Sequence, residues 1–249
     1  MHRTKIIYIA LGAAIVLGFA GWQYGVPAYR LLQERELRSR LASDPRTRDE
    51  FQFLEKAEAY EIAHPDDVQG PISLGLVWKT FGDARGGDRQ MFERSRDVFE
   101  RGVALFGERN TVILMNAGTM QRLLGNYQRA EELYQQAIRV NPGQSEQYLA
   151  LVDLYRYTMQ KERGDQRIID TYREALSKVL TNADIVQSLA FYLRDMHRYK
   201  DALPYLQVLS KNFPEDGHLE LEIKAAEEAI ARGEDQSTGT APPGARANQ

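Results

Sequence analysis

The chain has 249 residues, a formal net charge of −3, 43% hydrophobic and 27% charged residues, and no cysteine. That charge excludes bulk nucleic-acid binding by electrostatics alone, and the missing thiols exclude disulfides, cysteine-ligated zinc, iron–sulfur clusters and thiol catalysis. The length allows one domain with appendages, and a composition rich in Ala, Leu, Glu, Arg and Gln with only nine prolines favours helix.

The first predicted element is an apolar helix. Residues 6–29 (IIYIALGAAIVLGFAGWQYGVPAY) form a 24-residue run without a charge. At about 1.5 Å per residue such a run crosses a hydrocarbon core of roughly 30 Å. Tyr8 at one end and Trp22, Tyr24 and Tyr29 at the other have the placement of interfacial aromatic anchors. A cleaved signal peptide would need a shorter apolar core; Gly18-Phe19-Ala20 is a passable cleavage site, but apolar residues continue past it. A buried soluble helix would need a polar face, which the run lacks. The reading adopted is a retained single-pass anchor occupying residues 1–30. Arg3 and Lys5 precede the span and Arg30, Arg35, Arg38 and Arg40 follow it, so the positive-inside count opposes export of the C-terminus. The short N-terminal tail instead resembles a bacterial signal anchor. The expected localisation is the inner membrane, with the remainder in the periplasm.

Residues 31–65 are expected to form a helical linker and a first helix. Residues 31–41 read as a charged extension of the anchor, broken at Ser43-Asp44-Pro45. Residues 47–63 read as a helix with Phe51, Leu54, Ala57 or Glu58, and Ile62 inward, ended by His64-Pro65. Asp66 and Asp67 are placed to cap a helix beginning near Val68.

An internal repeat follows. The stretch at 125–142 (GNYQRAEELYQQAIRVNP) resembles the tetratricopeptide family, whose roughly 34-residue unit is a pair of antiparallel helices. With Thr111 as position 1, Leu114, Ala117, Gly118, Ala130, Tyr134, Ala137 and Pro142 fall on the family's positions, and only Gln121 replaces an expected aromatic. A second unit starts at Ser145, with Tyr148, Leu151, Val152 and Tyr155, extra residues near 161–165, then Ile168, Tyr172 and Ala175, with Leu180 in place of the terminal proline. A third starts at Ala183, with Val186, Leu189, Ala190, Leu193, Ala202, Leu206, Leu209 and Pro214. Its Pro204 requires the second helix to begin near Lys200 or Asp201, so that the missing N–H falls in the first turn. Upstream, Leu74, Gly75, Trp78, Ser95, Phe99 and Gly102 fit a degenerate unit from Val68, its helices separated by a glycine-rich insertion around 82–88. Small residues let paired helices approach, large ones fill between neighbours, and no unit can bury its apolar face alone. The predicted fold is therefore all-α: a right-handed α-solenoid of antiparallel helix pairs over 66–232, preceded by the transmembrane helix. It comprises about four repeats and a polar capping helix at 217–232. Residues 233–249 lack aromatics and large aliphatics and are expected to be disordered.

Catalytic and cofactor signals are weak. His2, His64, His197 and His218 are scattered and match no metal-ligand spacing. The glycines at 82–88 lack the phosphate-loop pattern. No catalytic residue, metal or cofactor is assigned. The candidate site is the face shared by positions 2, 5, 9 and 12 of each first helix, which the resemblance places along a concave groove. Position 12 carries Lys79, Arg122, Arg156 and Arg194. Position 5 carries Ile72, Met115, Leu149 and Gln187, and position 9 carries Leu76, Thr119, Asp153 and Phe191. The expected partner is a protein or peptide with acidic side chains or a free carboxylate, since arginine forks bind carboxylates and Met115, Leu149 and Phe191 supply apolar contact. Against this stands the fact that position 12 is often a solvated charge in any repeat protein. The family's carboxylate-clamp pattern is not reproduced.

The function these features imply is a non-enzymatic scaffold of the bacterial cell envelope serving assembly, secretion or maturation, in layout similar to translocon-associated and cytochrome c maturation factors. A permanent structural subunit or self-assembling component of an envelope complex is the alternative. An enzyme would need a pocket of converging ionisable groups, for which no residues present themselves.

Overall fold

The computed structural model describes residues 26–179 and 183–238. The apolar run at 6–29 lies outside these residues except for its last four positions. Leu180 and the last part of the tail, residues 239–249, lie outside them too. No helix among the described residues is long and apolar enough to cross a membrane.

Eleven α-helices and no strand occur among the described residues. In chain order they are α1 Val26–Ser43, α2 Arg48–Ala63, α3 Gln69–Ala84, α4 Arg89–Phe106, α5 Thr111–Leu123, α6 Tyr127–Val140, α7 Ser145–Tyr157, α8 Gln160–Lys178, α9 Ala183–Asp195, α10 Tyr199–Asn212 and α11 Gly217–Ala231. Each packs on the one before and the one after it. The result is a stack of helix pairs, α3–α4 to α9–α10, with α1 and α2 at one end and α11 at the other. The predicted starts at Thr111 and Ser145 coincide with the first residues of α5 and α7, and Ala183 is the first described residue of α9.

The pairs close through the small residues the repeat requires. A Cβ on Gly118 would stand 2.5 Å from the Tyr134 ring, and one on Gly75 2.5 Å from the Phe99 ring. Only glycine lets the two helices of those pairs approach so closely. Ala130, Ala137, Leu114, Ala117 and Tyr134 are buried around the same contact. The aromatic expected at Gln121 is replaced by a polar knot. Buried Gln121 donates to Glu100 at 2.6 Å and accepts from the Asn126 side chain at 2.7 Å, while Arg129 donates to both Glu100 oxygens. Burial pushes the Glu100 carboxyl up, but the hydrogen bonds from Arg129 and Gln121 outweigh it and hold the group below the usual glutamate range.

Where the chain carries extra residues, helices lengthen instead of loops. The insertion at 82–88 is largely absorbed by α3 and α4, of 16 and 18 residues against 13 and 14 in α5 and α6. Gly82 is helical and packed on Phe92, not a loop residue; only Gly86 and Gly87, at φ 73° and 91°, make the turn. The extra residues at 161–165 add a turn to α8, kinked at Gly164 with φ 70°.

Three expectations are corrected at the ends of the stack. Ile62 does not face inward: Leu54 and Ala57 are buried on α2, whereas Ile62 is 82% exposed. The helix α10 starts at Tyr199, one or two residues earlier than expected, so Pro204 falls beyond the first turn. An interior proline ordinarily costs about 3 kcal/mol. The tail beyond Gly233 acts in the opposite direction on the same helix, because residues 234–238 are not free: the chain turns at Gly233 (φ 76°) and returns across the α9–α10 turn. The Gln236 N–H donates to the His197 carbonyl at 2.8 Å, Asp235 accepts from the Lys200 N–H at 3.1 Å, and Ser237 Oγ accepts from the Asp201 N–H at 3.2 Å. Arg198, at the N-cap of α10, offers no capping side chain of its own. The returning segment thus satisfies the orphan N–H groups of the first turn. His197 (φ 57°) occupies the register position of Gly125 (φ 84°), and the bond from Gln236 holds its carbonyl in that left-handed turn. Replacing Asp235 and Ser237 together by alanine is expected to cost roughly 1–2 kcal/mol. Hydrogen exchange should then accelerate at the Lys200 and Asp201 amides, and not in α5 or α6. Burial would push the Asp235 carboxyl up, but the bonds from Ser237 and Lys200 hold it below the usual range. Its contribution is therefore present at neutral pH and lost as pH falls through that depressed value.

Candidate protein-binding groove

The first helices of the pairs, α3, α5, α7 and α9, present the positions singled out in the sequence. The structure treats the four basic residues differently. Lys79 on α3 donates to Asp83 one turn later at 2.6 Å. Arg194 on α9 is paired on both sides, with Asp195 at 2.7 Å and Glu222 of α11 at 2.8 Å, and stacks 4.7 Å over the Phe191 ring. Burial would lower the Arg194 pKa, yet the bonds from Asp195 and Glu222 raise it. These two cations are satisfied within the chain.

Arg122 on α5 and Arg156 on α7 are half-buried and close no ion pair with a carboxylate among the described residues. Both bear electrostatically on Asp153 of α7. Burial by the surrounding walls pushes the Asp153 carboxyl above the usual aspartate range, although the residue stays exposed by area; Arg156 and Arg122 oppose that shift without cancelling it. Arg156 lies 4.8 Å over the Tyr192 ring of α9 and 5.4 Å from that of Tyr157, so aromatic faces hold its guanidinium from below. Tyr192 in turn donates to Asp165 at 2.8 Å, and burial with that carboxylate raises its pKa.

Apolar positions flank this pair of arginines. Met115 and Leu149 are half-buried on α5 and α7, and Phe191 on α9 packs on the same core. Beside Met115 a cavity of about 270 Å³ opens between the first turns of α5 and α7, lined by Val112, Asn116, Glu146 and Gln147 among others. Thr119 is turned inward, its hydroxyl donating to the Met115 carbonyl at 2.9 Å and lying 3.3 Å from the Tyr134 hydroxyl. Ile72 is buried in the core, Leu76 is exposed, and Gln187 is exposed and distant from the Arg122–Asp153–Arg156 cluster in register. Among the described residues no group of three His, Asp or Glu side chains could hold a metal ion.

Register in the sequence does not reveal two participants, Tyr192 and Tyr157, because aromatic support of an arginine depends on the neighbouring pair. The pairing of Arg194 does carry a sequence signal: position 6 of the following unit is Glu222 there, but Ser188 after Arg156 and Ala150 after Arg122, neither of which can pair with a cation.

Comparison with known proteins gives structural likeness alone. No family model matches the chain, and no curated protein matches it. Among solved structures, a crystal structure of MamA is 16% identical, covering 72% of this chain and 88% of its own, with a TM-score of 0.45. A thermophilic TPR protein of Thermus thermophilus is 18% identical over 70% of this chain and 89% of its own, with a TM-score of 0.46. A MamA structure designated AMB-1 is 18% identical over 68% and 93%, with a TM-score of 0.45. Values this low carry no argument about partners, and the assignment of architecture rests on the helix pairs themselves. In those pairs, with Gly118 against Tyr134 and Gly75 against Phe99, the chain is similar to tetratricopeptide-repeat proteins.

Proposed function

We infer that the protein is a membrane-anchored scaffold of a bacterial cell envelope that acts by binding and not by catalysis. The apolar run at 6–29 serves as the anchor, the helix pairs face the periplasm, and a partner protein lies along α5, α7 and α9. The observation that carries the reading is the pair Arg122 and Arg156. Two half-buried arginines without carboxylate partners, set beside Met115 and Leu149, form a cationic and apolar strip suited to an acidic segment. Lys79 and Arg194, already paired, mark its limits.

The test uses the full chain in its membrane. A photo-crosslinking amino acid at Met115 or Leu149 is expected to trap a partner protein, whereas one at Arg139, exposed on α6, is not. A C-terminal reporter active only outside the cytoplasm is expected to be active. Adducts at Arg139 and none at Met115 or Leu149 would move the interface to the other face of the stack. Cytoplasmic reporter activity would reverse the orientation.

A further inference from the structure

The turn edge of the stack nearest the start of α1 carries large aliphatic side chains in solvent. Ile62, at the end of α2, is 82% exposed, and Leu105, at the end of α4, is 69% exposed. On α1 itself Leu31 and Leu32 are 66% and 64% exposed. The buried side chains of the same helices, Leu37 and Leu41 on α1, Leu54 and Ala57 on α2, and Val98 and Phe99 on α4, lie further from this edge.

The course of α1 carries Leu31 and Leu32 towards the edge that holds Ile62 and Leu105. Its C-terminal end sits at the α3–α4 turn, where Asp44 meets Arg85 at 3.5 Å. Midway, Arg38 pairs with Glu58 of α2 at 2.5 Å and Glu34 pairs with Arg94 of α4 at 2.6 Å. Running backwards in sequence, α1 therefore climbs the stack from the α3–α4 turn towards the opposite edge. From position 38 to position 31 the climb is about 10 Å at 1.5 Å per residue. The same direction along α2 leads from Glu58 to Ile62. Across the stack, a Cβ on Gly70 of α3 would stand 3.1 Å from Glu61 of α2 and one on Gly102 of α4 would stand 3.1 Å from Pro71 of α3, so the end of α2, the start of α3 and the end of α4 share a rim that carries Ile62 and Leu105.

We propose that this rim, with Ile62 and Leu105 at its crest, rests on the lipid headgroup surface beside the anchor. The proposal depends on the anchor reading above: the apolar run at 6–29 ends at Tyr29, within α1, and the bilayer surface must then lie near residue 30. Charge selects the mode of contact. The rim carries Glu61, Asp66, Asp67 and Glu108 against Arg101 and Arg109, with Arg101 already paired to Glu61, so net electrostatic attraction to anionic lipid is small and the contact comes from aliphatic insertion. Binding of the rim is accordingly insensitive to salt and needs no anionic lipid. Three points of support, α1, Ile62 and Leu105, fix the tilt of the stack on the membrane.

The absence of native cysteine allows a direct test. The full chain is reconstituted into phosphatidylcholine vesicles as Ile62→Cys, Leu105→Cys or Arg89→Cys, each labelled with an environment-sensitive fluorophore. Arg89 is exposed at the opposite edge. Brominated lipid is expected to quench the labels at 62 and 105 by at least about twofold, as for side chains at the headgroup boundary, and to leave the label at 89 unchanged in low and high salt. If the chain resists alkaline extraction but labels at 62 and 105 respond no more than that at 89, the proposal fails and the anchor reading stands. If lipid does not quench them but they are shielded from aqueous iodide, a protein surface or second copy covers the rim, and the proposal also fails. If alkaline carbonate releases the chain from the vesicles, the anchor reading fails and takes the proposal with it.

Discussion

Replacing Tyr134 by alanine is expected to destabilise the repeat domain by about 3–5 kcal/mol, the range for removing a buried aromatic side chain. Tyr134 is fully buried, its ring lies against the backbone of Gly118, and its hydroxyl reaches Thr119. The informative companion is Gly118→Ala. In an exposed helix that change gains about 1 kcal/mol of helix propensity. Here the new Cβ would stand 2.5 Å from the Tyr134 ring, and overpacking of that kind costs roughly 1–3 kcal/mol. Gly118→Ala alone should therefore lower the denaturation midpoint. In the Tyr134→Ala background the methyl group has a cavity to enter and should be neutral or stabilising. That change of sign, measured by a double-mutant cycle in denaturant, separates close approach from helix propensity. Additive losses would mean that the helices do not meet through this contact.

The second large effect belongs to the groove. Arg122→Glu with Arg156→Glu is expected to reduce recovery of a partner crosslinked at Leu149 by at least about a hundredfold. A charge-assisted hydrogen bond contributes roughly 1.5–3 kcal/mol, and each reversal adds repulsion. Arg194→Glu is expected to do less to the partner and more to the fold, since it leaves Glu222 of α11 facing a like charge. Asp153→Asn should act in the opposite direction. It removes the carboxylate that competes for both arginines, so capture should rise at neutral pH. The sign follows from the raised Asp153 pKa: burial disfavours the charged form, so ionisation costs stability and that cost disappears as pH falls through the raised value. Wild-type capture should then increase on mild acidification, while Asp153→Asn loses that pH dependence. An unchanged profile in Asp153→Asn would remove Asp153 from the groove's chemistry.

Much of the helix-pair layout is legible in the order of residues alone. Thr111 and Ser145 are recognisable as helix starts because small and large side chains recur around them at the spacing that stacking demands. Ile62 is misplaced by its periodicity, which identifies an apolar stripe but not how much of it the neighbours cover: Leu54 and Ala57 are buried and Ile62 is left in solvent. Glycine ordinarily ends helices, so Gly82 reads as loop, whereas here it admits the Phe92 ring. The segment after Gly233 reads as disordered from composition alone. Composition measures apolar burial, and residues 234–238 are held by hydrogen bonds to a helix start that lacks its own cap. In the groove, register locates the four cations but not their neighbours. Lys79 is closed by Asp83 one turn along its own helix and Arg194 by Asp195 and by Glu222 one unit away, whereas the aromatic rings against Arg156 follow from the packing of neighbouring helices.

The returning C-terminal segment gives the chain a dependence on its own completion. The α10 helix leaves the ribosome before residues 235–238 exist to cap its first turn, and Pro204 already weakens that helix. A chain ended early by a stop codon or trimmed by a protease near Gly233 would keep every helix and still fray at α10, exposing Leu206 and Leu209 to degradation machinery that full-length copies escape.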